Sequence, residues 1–376
     1  MRATAVIGAN YGDEGKGLIC DYLVSKASGP TLVVRFNGGA QAGHTVLTPT
    51  GQRHVFHHFG SGTLLGAATY LSRFFVANPM VWKTEKDELA QLGVYAPKVY
   101  VALDTPITTP YDMLVNQEAE RIRGGERHGS CGLGIHETLE RNTTDFATTV
   151  RTITRGDVER IRGDWALKRL IQLVGNRPFS EAFYSRLFSN SLLEHYLGDL
   201  EAFLGSVHFR EAFPKGFEDI VFEGAQGLLL DEDHPNFPYV THSKTGLHNV
   251  LILCREAGIS ELDAVYVTRA YVTRHGAGPF PTEVPGMLYA DLTNVRNEFQ
   301  GGLRFGTLDP YELLHNVSTD LSTRGSMNVV ARIALTCLDQ IRDPGEVEEN
   351  LSGIVPIGLR AYGPTRAHIY QAKEQA

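Results

Sequence analysis

The stretch Gly8-Ala-Asn-Tyr-Gly-Asp-Glu-Gly-Lys-Gly17 lies between an apolar run at 3–7 and Leu18-Ile-Cys-Asp-Tyr-Leu-Val24, whose apolar side chains recur at helical spacing. A short apolar strand, then a glycine loop, then a helix is how a parallel α/β sheet begins. The backbone N–H groups of such a loop, with a helix N-terminus behind them, form an anion site, and Lys16 adds a positive charge for phosphate oxygens. The loop departs from a Walker A sequence at two points: Asn10 stands where a glycine is needed, and Gly17 where a Ser or Thr would meet Mg²⁺. Asp13 is placed to supply the missing hard oxygen ligand. A nucleoside triphosphate with Mg²⁺ is therefore the expected ligand. Taken alone, the loop also fits a plain glycine turn with a solvated acidic pair.

Outward from this unit the pattern recurs. Strands are expected at 31–36, 70–76, 99–103, 220–222 and 264–267, with loops at 38–45, 223–227 and 269–283. The fold class expected is α/β: a large, mostly parallel central sheet flanked by helices, with smaller helical and loop subdomains. One domain spanning 1–376 is expected, with a helical sub-region at about 157–213 that carries no chemical motif and reads as structural support. The polar tail 372–376 is expected to fray.

Composition narrows the function classes. The 376 residues carry a net charge of −8, which argues against a protein that holds nucleic acid along its surface. Cys20, Cys131, Cys254 and Cys337 have no paired spacing and read as reduced thiols. No signal peptide and no membrane span is expected, which points to the cytoplasm, or the host cytoplasm if the chain is viral.

Three further stretches carry candidate chemistry. Gly38-Gly-Ala-Gln-Ala-Gly-His-Thr45 sets His44 among small neighbours, where its ring can donate to a developing negative oxygen or move a proton. His57 and His58, in an aromatic run, read as structural. In Phe222-Glu-Gly-Ala-Gln-Gly227, Gln226 offers a planar donor and acceptor suited to a base edge, and Thr241 in Tyr239-Val-Thr241 could meet a phosphate. Thr273-Arg-His-Gly-Ala-Gly-Pro-Phe-Pro-Thr-Glu283 is stiffened by glycines and prolines, as a ligand loop or a structural corner would be.

Together these stretches, with Gly12-Asp-Glu-Gly-Lys-Gly17 and Pro238-Tyr-Val-Thr241, resemble adenylosuccinate synthetase in order and spacing from residue 4 to about 339. The resemblance implies a ligase forming a C–N bond. A triphosphate, ATP or GTP, phosphorylates the 6-oxygen of a purine nucleoside monophosphate, and the amino group of L-aspartate displaces that phosphate at C6. It implies Asp13 as the base that takes the N1 proton and as a Mg²⁺ ligand, His44 and Lys16 as catalytic partners, and the Gly43 carbonyl as the second protein ligand of Mg²⁺. Gly12, Glu14, Gly15, Gly17, Gln41, Gly43, Thr45, Gln226 and Thr241 fall in its nucleotide and phosphate loops. A homodimer is implied as well, with Arg151 as the arginine that reaches the neighbouring subunit's nucleotide.

The departures define the question. In Gly129-Ser-Cys-Gly-Leu-Gly-Ile135, Ser130 and Cys131 replace the usual threonines and Leu133 an arginine. After Asn297-Glu-Phe299 the arginine-rich aspartate loop is shortened to Gln300-Gly-Gly-Leu-Arg-Phe-Gly306, leaving Arg304 as the carboxylate clamp with Gly302 and Thr307 beside it. In Thr336-Cys-Leu-Asp339, Asp339 can still read a guanine, but Cys337 replaces a stacking lysine; Gly363-Pro364 with Arg366 resembles the loop over the donor base. These joint changes favour a bacteriophage branch that joins aspartate to dGMP on the way to 2-aminoadenine DNA. The alternative is the ordinary enzyme acting on IMP, and a catalytically silent nucleotide-binding regulator is the remote third reading.

Overall fold

The computed structural model describes residues 1–291, 301–351 and 355–371. The strands in chain order are β1 (Arg2–Gly8), β2 (Thr31–Arg35), β3 (His44–Leu47), β4 (Arg53–Phe56), β5 (Ala68–Leu71), β6 (Val99–Ala102), β7 (His208–Arg210), β8 (Asp219–Gly227), β9 (Glu261–Arg269), β10 (Val272–His275), β11 (Leu303–Gly306), β12 (Asn328–Thr336), β13 (Ile357–Ala361) and β14 (Ile369–Gln371). Ten of them form one sheet in the order β14-β13-β12-β9-β1-β8-β2-β5-β6-β7. Every pairing in it is parallel except β13 with β14. The expected α/β architecture with a mostly parallel sheet is what the chain adopts.

The sheet is buried on both faces, which explains its continuous apolar strands. Ala3, Ala5 and Ile7 of β1 enter one core with Leu32, Phe222 and Tyr266. Val6, pointing the other way, packs with Ile19 and Cys20 of the first helix, α1 (Lys16–Ser25), and with Val33 and Val265. A third core, around Trp82, Tyr111 and Tyr196, lies under the helices of residues 110–204.

Several limits differ from expectation: β9 runs longer than 264–267, and the loop expected at 269–283 contains strand β10. The strand expected at 70–76 ends at Leu71, because residues 72–75 close a turn in which Phe75 N–H bonds the Ser72 carbonyl. The loop expected at 223–227 is instead the end of β8, whose Gly227 pairs with Gly8 of β1. The helical sub-region is helical from 155 to 204, apart from residues 175–180 and 188–189, and then gives the sheet its edge strand β7. Asn297-Glu-Phe299, Gln300 and the tail 372–376 lie outside the described residues.

β1, β2, β8, β9 and β12 run parallel, so their C-terminal ends share one rim of the sheet. The loops that follow them at that rim are the glycine-rich and polar stretches singled out in the sequence. That is where an open α/β sheet binds its ligands.

Candidate active site

The glycine loop is shaped by its own charges. Asn10 N–H donates to Glu14 Oε1 (2.5 Å), and Lys16 Nζ lies 3.7 Å from Glu14 Oε2 with both side chains buried. A Cβ on Gly8 would overlap the Glu14 carboxylate and come within 2.9 Å of Lys16 Nζ, so glycine is required there. Burial pushes Glu14 up to about 7, with Lys16 opposing. Asp13 sits at φ 58°, a left-handed conformation that costs a non-glycine residue about 1 kcal/mol or more. It is held there by Arg269, whose Nε donates to the Asp13 carbonyl (2.5 Å), while Thr336 Oγ1 donates to the Glu14 carbonyl (2.8 Å).

His44 is buried at the start of β3. Its Nδ1–H donates to Glu223 Oε1 (2.6 Å) in the middle of β8. Glu223 also accepts from Ser61 N–H (3.0 Å) and from the Ser61 hydroxyl, and Arg35 stands opposite it in the β2–β8 ladder. Burial alone would raise Glu223, but His44, Arg35 and Ser61 outweigh it and bring the carboxyl down to about 2. Glu223 is therefore a fixed carboxylate. It sets the His44 tautomer and leaves Nε2 as that ring's other hydrogen-bonding atom. Burial lowers His44 to about 4, against the pull of Glu223.

The remaining phosphate-loop candidates gather around these groups. Gly12 packs on Gln226, itself at φ 63°, and a Cβ on Gly17 would meet His44 Cβ at 3.0 Å. A Cβ on Gly129 would lie 2.9 Å from Ala277 N, so the 129–135 and 273–283 loops touch. Gly38 N–H donates to Ser243 Oγ (3.1 Å), bringing the second glycine loop beside Thr241. Both amide atoms of Gln41, and Thr45 Oγ1, are buried without a partner among the described residues, as expected of groups waiting for a ligand. Ser130 is engaged internally: its hydroxyl donates to Asn116 Oδ1 (3.0 Å), and Gly129 N–H donates to buried Glu120 (2.9 Å). Burial raises the Cys131 thiol to about 11.

The rim is different. Arg304 on β11 is paired with Glu283, Nε to Oε1 at 2.9 Å and Nη2 to Oε2, and its Nη1 donates to the Gly278 carbonyl (2.9 Å). Gly302 and Thr307 are exposed beside it. Asp339 is exposed in the helical turn Leu338–Gln340 that follows β12, and Arg366, near Gly363, pairs with Asp21 of α1 (2.9 Å). Arg151 lies away from these loops. It is half exposed, 3.7 Å from Asp104 and 3.9 Å from Glu211, at the β6–β7 edge.

Mg²⁺ fits the donor set. Asp13 presents a hard carboxylate, 28% exposed, at the loop tip, and Gly43 contributes a carbonyl in the loop before His44. Among the described residues no group of three or more His, Cys, Asp or Glu could hold a metal ion, so the rest of an octahedral shell would come from phosphate oxygens and water.

Sequence reasoning missed four residues that organise the site: Glu223, Ser61, Arg269 and Glu85. Glu223 lay inside a motif already singled out, where only Gln226 was given a role; Ser61 and Glu85 carried no local signal. Buried Glu85 accepts the amides of His57 (2.9 Å) and His58 (2.7 Å), and His57 Nδ1–H then bonds the Ala40 carbonyl (2.9 Å) of the second glycine loop. His57 and His58 are thus structural, as expected.

A family model described as adenylosuccinate synthetase matches residues 5–347. The adenylosuccinate synthetase of Synechococcus elongatus is 35% identical over 328 residues, covering 82% of this chain and 67% of its own length. That of a Mycobacterium species is 31% identical over 291 residues, covering 76% and 65%. The alignment thus spans about two thirds of these relatives. Among solved structures, a fully ligated adenylosuccinate synthetase from Plasmodium falciparum superposes with a TM-score of 0.67 at 19% identity, covering 99% of this chain and 100% of that one. The succinoaminodeoxyadenylate synthetase of cyanophage S-2L, bound to dGMP and to dATP as energy donor, gives 0.61 at 16%, covering 98% and 95%. Both likenesses bear on the fold.

Proposed function

The chain belongs to the adenylosuccinate synthetase family of C–N ligases, and from that membership we propose that it phosphorylates the 6-oxygen of a purine 5′-monophosphate and joins L-aspartate at C6, with IMP as acceptor and ATP or GTP as donor. The observation that carries this reading is the packing of the phosphate loop, which carries Asp13 and Lys16, against the buried His44–Glu223 pair: a Cβ on Gly17 of that loop would lie 3.0 Å from His44 Cβ. The names of the curated relatives support IMP.

The residues divide the work. An amide-like 6-oxygen becomes nucleophilic when the N1 proton leaves, and Asp13 takes that proton. The loop N–H groups and Lys16 hold the donor's phosphates. His44, oriented by Glu223, stabilises charge on the transferring group. Asp13 and the Gly43 carbonyl would hold Mg²⁺, which would supply neutralisation of phosphate charge. Arg304 takes a carboxylate of aspartate.

A second reading has dGMP as acceptor. One observation bears on it: His275 lies 3.9 Å from Asp13, beside the carboxylate proposed to meet purine N1. Phosphate release is measured with IMP or dGMP, aspartate, and ATP or GTP. Aspartate-dependent release with IMP is expected; no release with any combination overturns the ligase reading.

A further inference from the structure

We propose that the stacked rings of His136 and His242 are a positioning pair: they hold the 129–135 and 239–243 loops at the spacing that seats the acceptor's 5′-phosphate, and the ring-on-ring contact sets the KM for the acceptor. The proposal rests on the ligase reading. The two half-buried rings come from distant parts of the sequence and lie with centroids 3.6 Å apart and planes at 26°.

Each ring is mounted on a different part of the molecule. His136 lies in the first turn of the helix Ile135–Arg141, whose Arg141 is buried against Asp112 (Nε to Oδ1, 2.8 Å) among the helices of residues 110–204. From the same helices Arg169 Nη2 reaches His136 Nε2 at 3.3 Å, while its Nε donates to Glu137 (2.6 Å). His242 belongs to the sheet side. Thr241 N–H donates to the Leu230 carbonyl (2.8 Å), and Glu232 N–H to the Ser243 carbonyl (3.2 Å). The chain is therefore tied down on both sides of the His242 ring to the segment just past β8. Ser243 Oγ also accepts from Gly38 N–H (3.1 Å), and the ring of Phe237 stands edge-on to His242 at 6.3 Å. The stack is a bridge from the helical sub-region to the sheet rim.

The rings are suited to stacking rather than to carrying charge. A guanidinium can only donate, so His136 Nε2 accepts from Arg169, and the ring is neutral with its proton on Nδ1. Burial, reinforced by His242 and Arg169, holds His136 down at about 3, and burial lowers His242 as well. Two neutral imidazoles can lie face to face, whereas two imidazolium ions would repel.

What the pair holds follows from its neighbours in sequence. The acceptor's monophosphate needs a place apart from the donor loop at 8–17. His136 directly follows the 129–135 loop, where Gly132 and Gly134 stand at φ 78° and 70°, conformations by which successive N–H groups can face one anion. His242 directly follows Thr241, whose hydroxyl can meet the same anion. Ile135 packs on the second glycine loop, since a Cβ on Gly39 would lie 2.7 Å from Ile135 Cδ1. Without the stack, the spacing between the loop N–H groups and the Thr241 hydroxyl is no longer set in advance, and ordering it is left to the nucleotide. The reacting 6-oxygen is at the far end of the acceptor, so the loss falls on binding, which raises KM and leaves kcat unchanged.

The experiment compares wild type with His136→Leu, His242→Leu, the double leucine variant, His136→Phe and His242→Phe. It measures kcat, the separate KM values for IMP, aspartate and donor, and the Kd for IMP by titration calorimetry. Each leucine variant should raise KM and Kd for IMP by about three- to ten-fold, the worth of one ring pair. Its kcat and its KM for aspartate and donor should stay within about two-fold of wild type. The double variant should be no weaker than the weaker single, because both changes remove the same contact. The phenylalanine variants keep a ring to stack and should stay within about two-fold of wild type. Unchanged KM and Kd for IMP in the leucine variants overturn the proposal. So does a loss in kcat alone, or additive losses in the double variant. Phenylalanine variants as weak as the leucine ones also overturn it, since ring nitrogens would then do the work. If one leucine variant does not fold, the other breaks the same stack from the opposite side and decides; if neither folds, the stack is scaffolding and the proposal is overturned. A wild type that binds IMP without releasing phosphate overturns the ligase reading, and the Kd series still tests the stack by itself.

Discussion

His44, Glu223, Glu14, Lys16 and Arg35 are each at most 6% exposed, whereas the Arg304 and Glu283 side chains on the rim keep 28% and 34% of their surface in solvent. The first group holds charge by enclosing it. Glu223 there meets His44 and the Ser61 donors, and Glu14 lies beside Lys16, because an unpaired buried charge is costly. The second group is a salt bridge in contact with water, where partners exchange at little cost. The contrast follows the chemistry proposed for each side. Phosphoryl transfer needs donors fixed before the charge develops. Binding an amino acid that must enter and leave needs a clamp that can open.

The largest effect is expected where the buried centre meets substrate. Asp13→Ala should lower kcat by about a thousand-fold or more, in the range seen when a base or a fixed electrostatic group is removed. Its melting temperature should stay near wild type, since a loop residue at positive φ contributes little packing. A variant that kept more than a tenth of wild-type kcat would remove Asp13 from both proposed roles.

Glu223→Gln comes next, at about a hundred-fold in kcat with little change in KM. The amide can still accept from His44, but its NH₂ then confronts the Ser61 N–H. Nitrogen-resolved NMR of His44 should show the Nδ1–H tautomer in wild type and a mixture in the variant. An unchanged tautomer together with unchanged kcat would show that the buried pair is scaffolding only.

The third effect lies behind the centre, in stability. Burial would raise Glu85, but contacts from His54 and His58 and the His58 amide outweigh it and hold the carboxyl at about 2, against an ordinary 4.5. The sign follows: a depressed carboxyl contributes stability above pH 4.5 and loses it as pH falls toward 2. The shift corresponds to roughly 3 kcal/mol at neutral pH. Thermal melts from pH 7 to 3 should therefore fall less steeply in Glu85→Gln than in wild type, from a neutral-pH start lower by roughly 2 kcal/mol. Parallel curves would mean that Glu85 does not hold the 54–59 segment and, through His57, the second glycine loop.

The same contrast explains what could be read from the sequence. The buried centre was legible where strand and loop are continuous in sequence. Apolar runs gave the strands, and Gly8–Gly17, His44 and Gln226 followed as loops at strand ends. What escaped were partners from elsewhere in the chain: Ser61, which meets Glu223 across 162 residues, and Arg269, which meets Asp13 across 256. Register sets such pairings, and register appears only once strands are ordered. The end of β8 was misread as a loop for the same reason: Gly224 and Gly227 look like a turn until Gly8 of β1 pairs with Gly227. On the rim, Arg304 was found, but its present partner was not, since nothing in the sequence links position 304 to 283.

That partner gives the smallest and sharpest test of the comparison. The Glu283 carboxylate binds the Arg304 guanidinium through two oxygens, the arrangement a carboxylate of aspartate would adopt. If the rim is an exchangeable clamp, Glu283 is a competitor held in place at high effective concentration. Glu283→Gln weakens the competitor while leaving Arg304 in place, so KM for aspartate should fall by about two- to five-fold with kcat unchanged. Arg304→Ala, by contrast, should raise KM for aspartate by about ten-fold. A rise in KM in Glu283→Gln would give Glu283 the opposite role: it would orient Arg304 for the substrate, and the rim would be as preorganised as the buried centre.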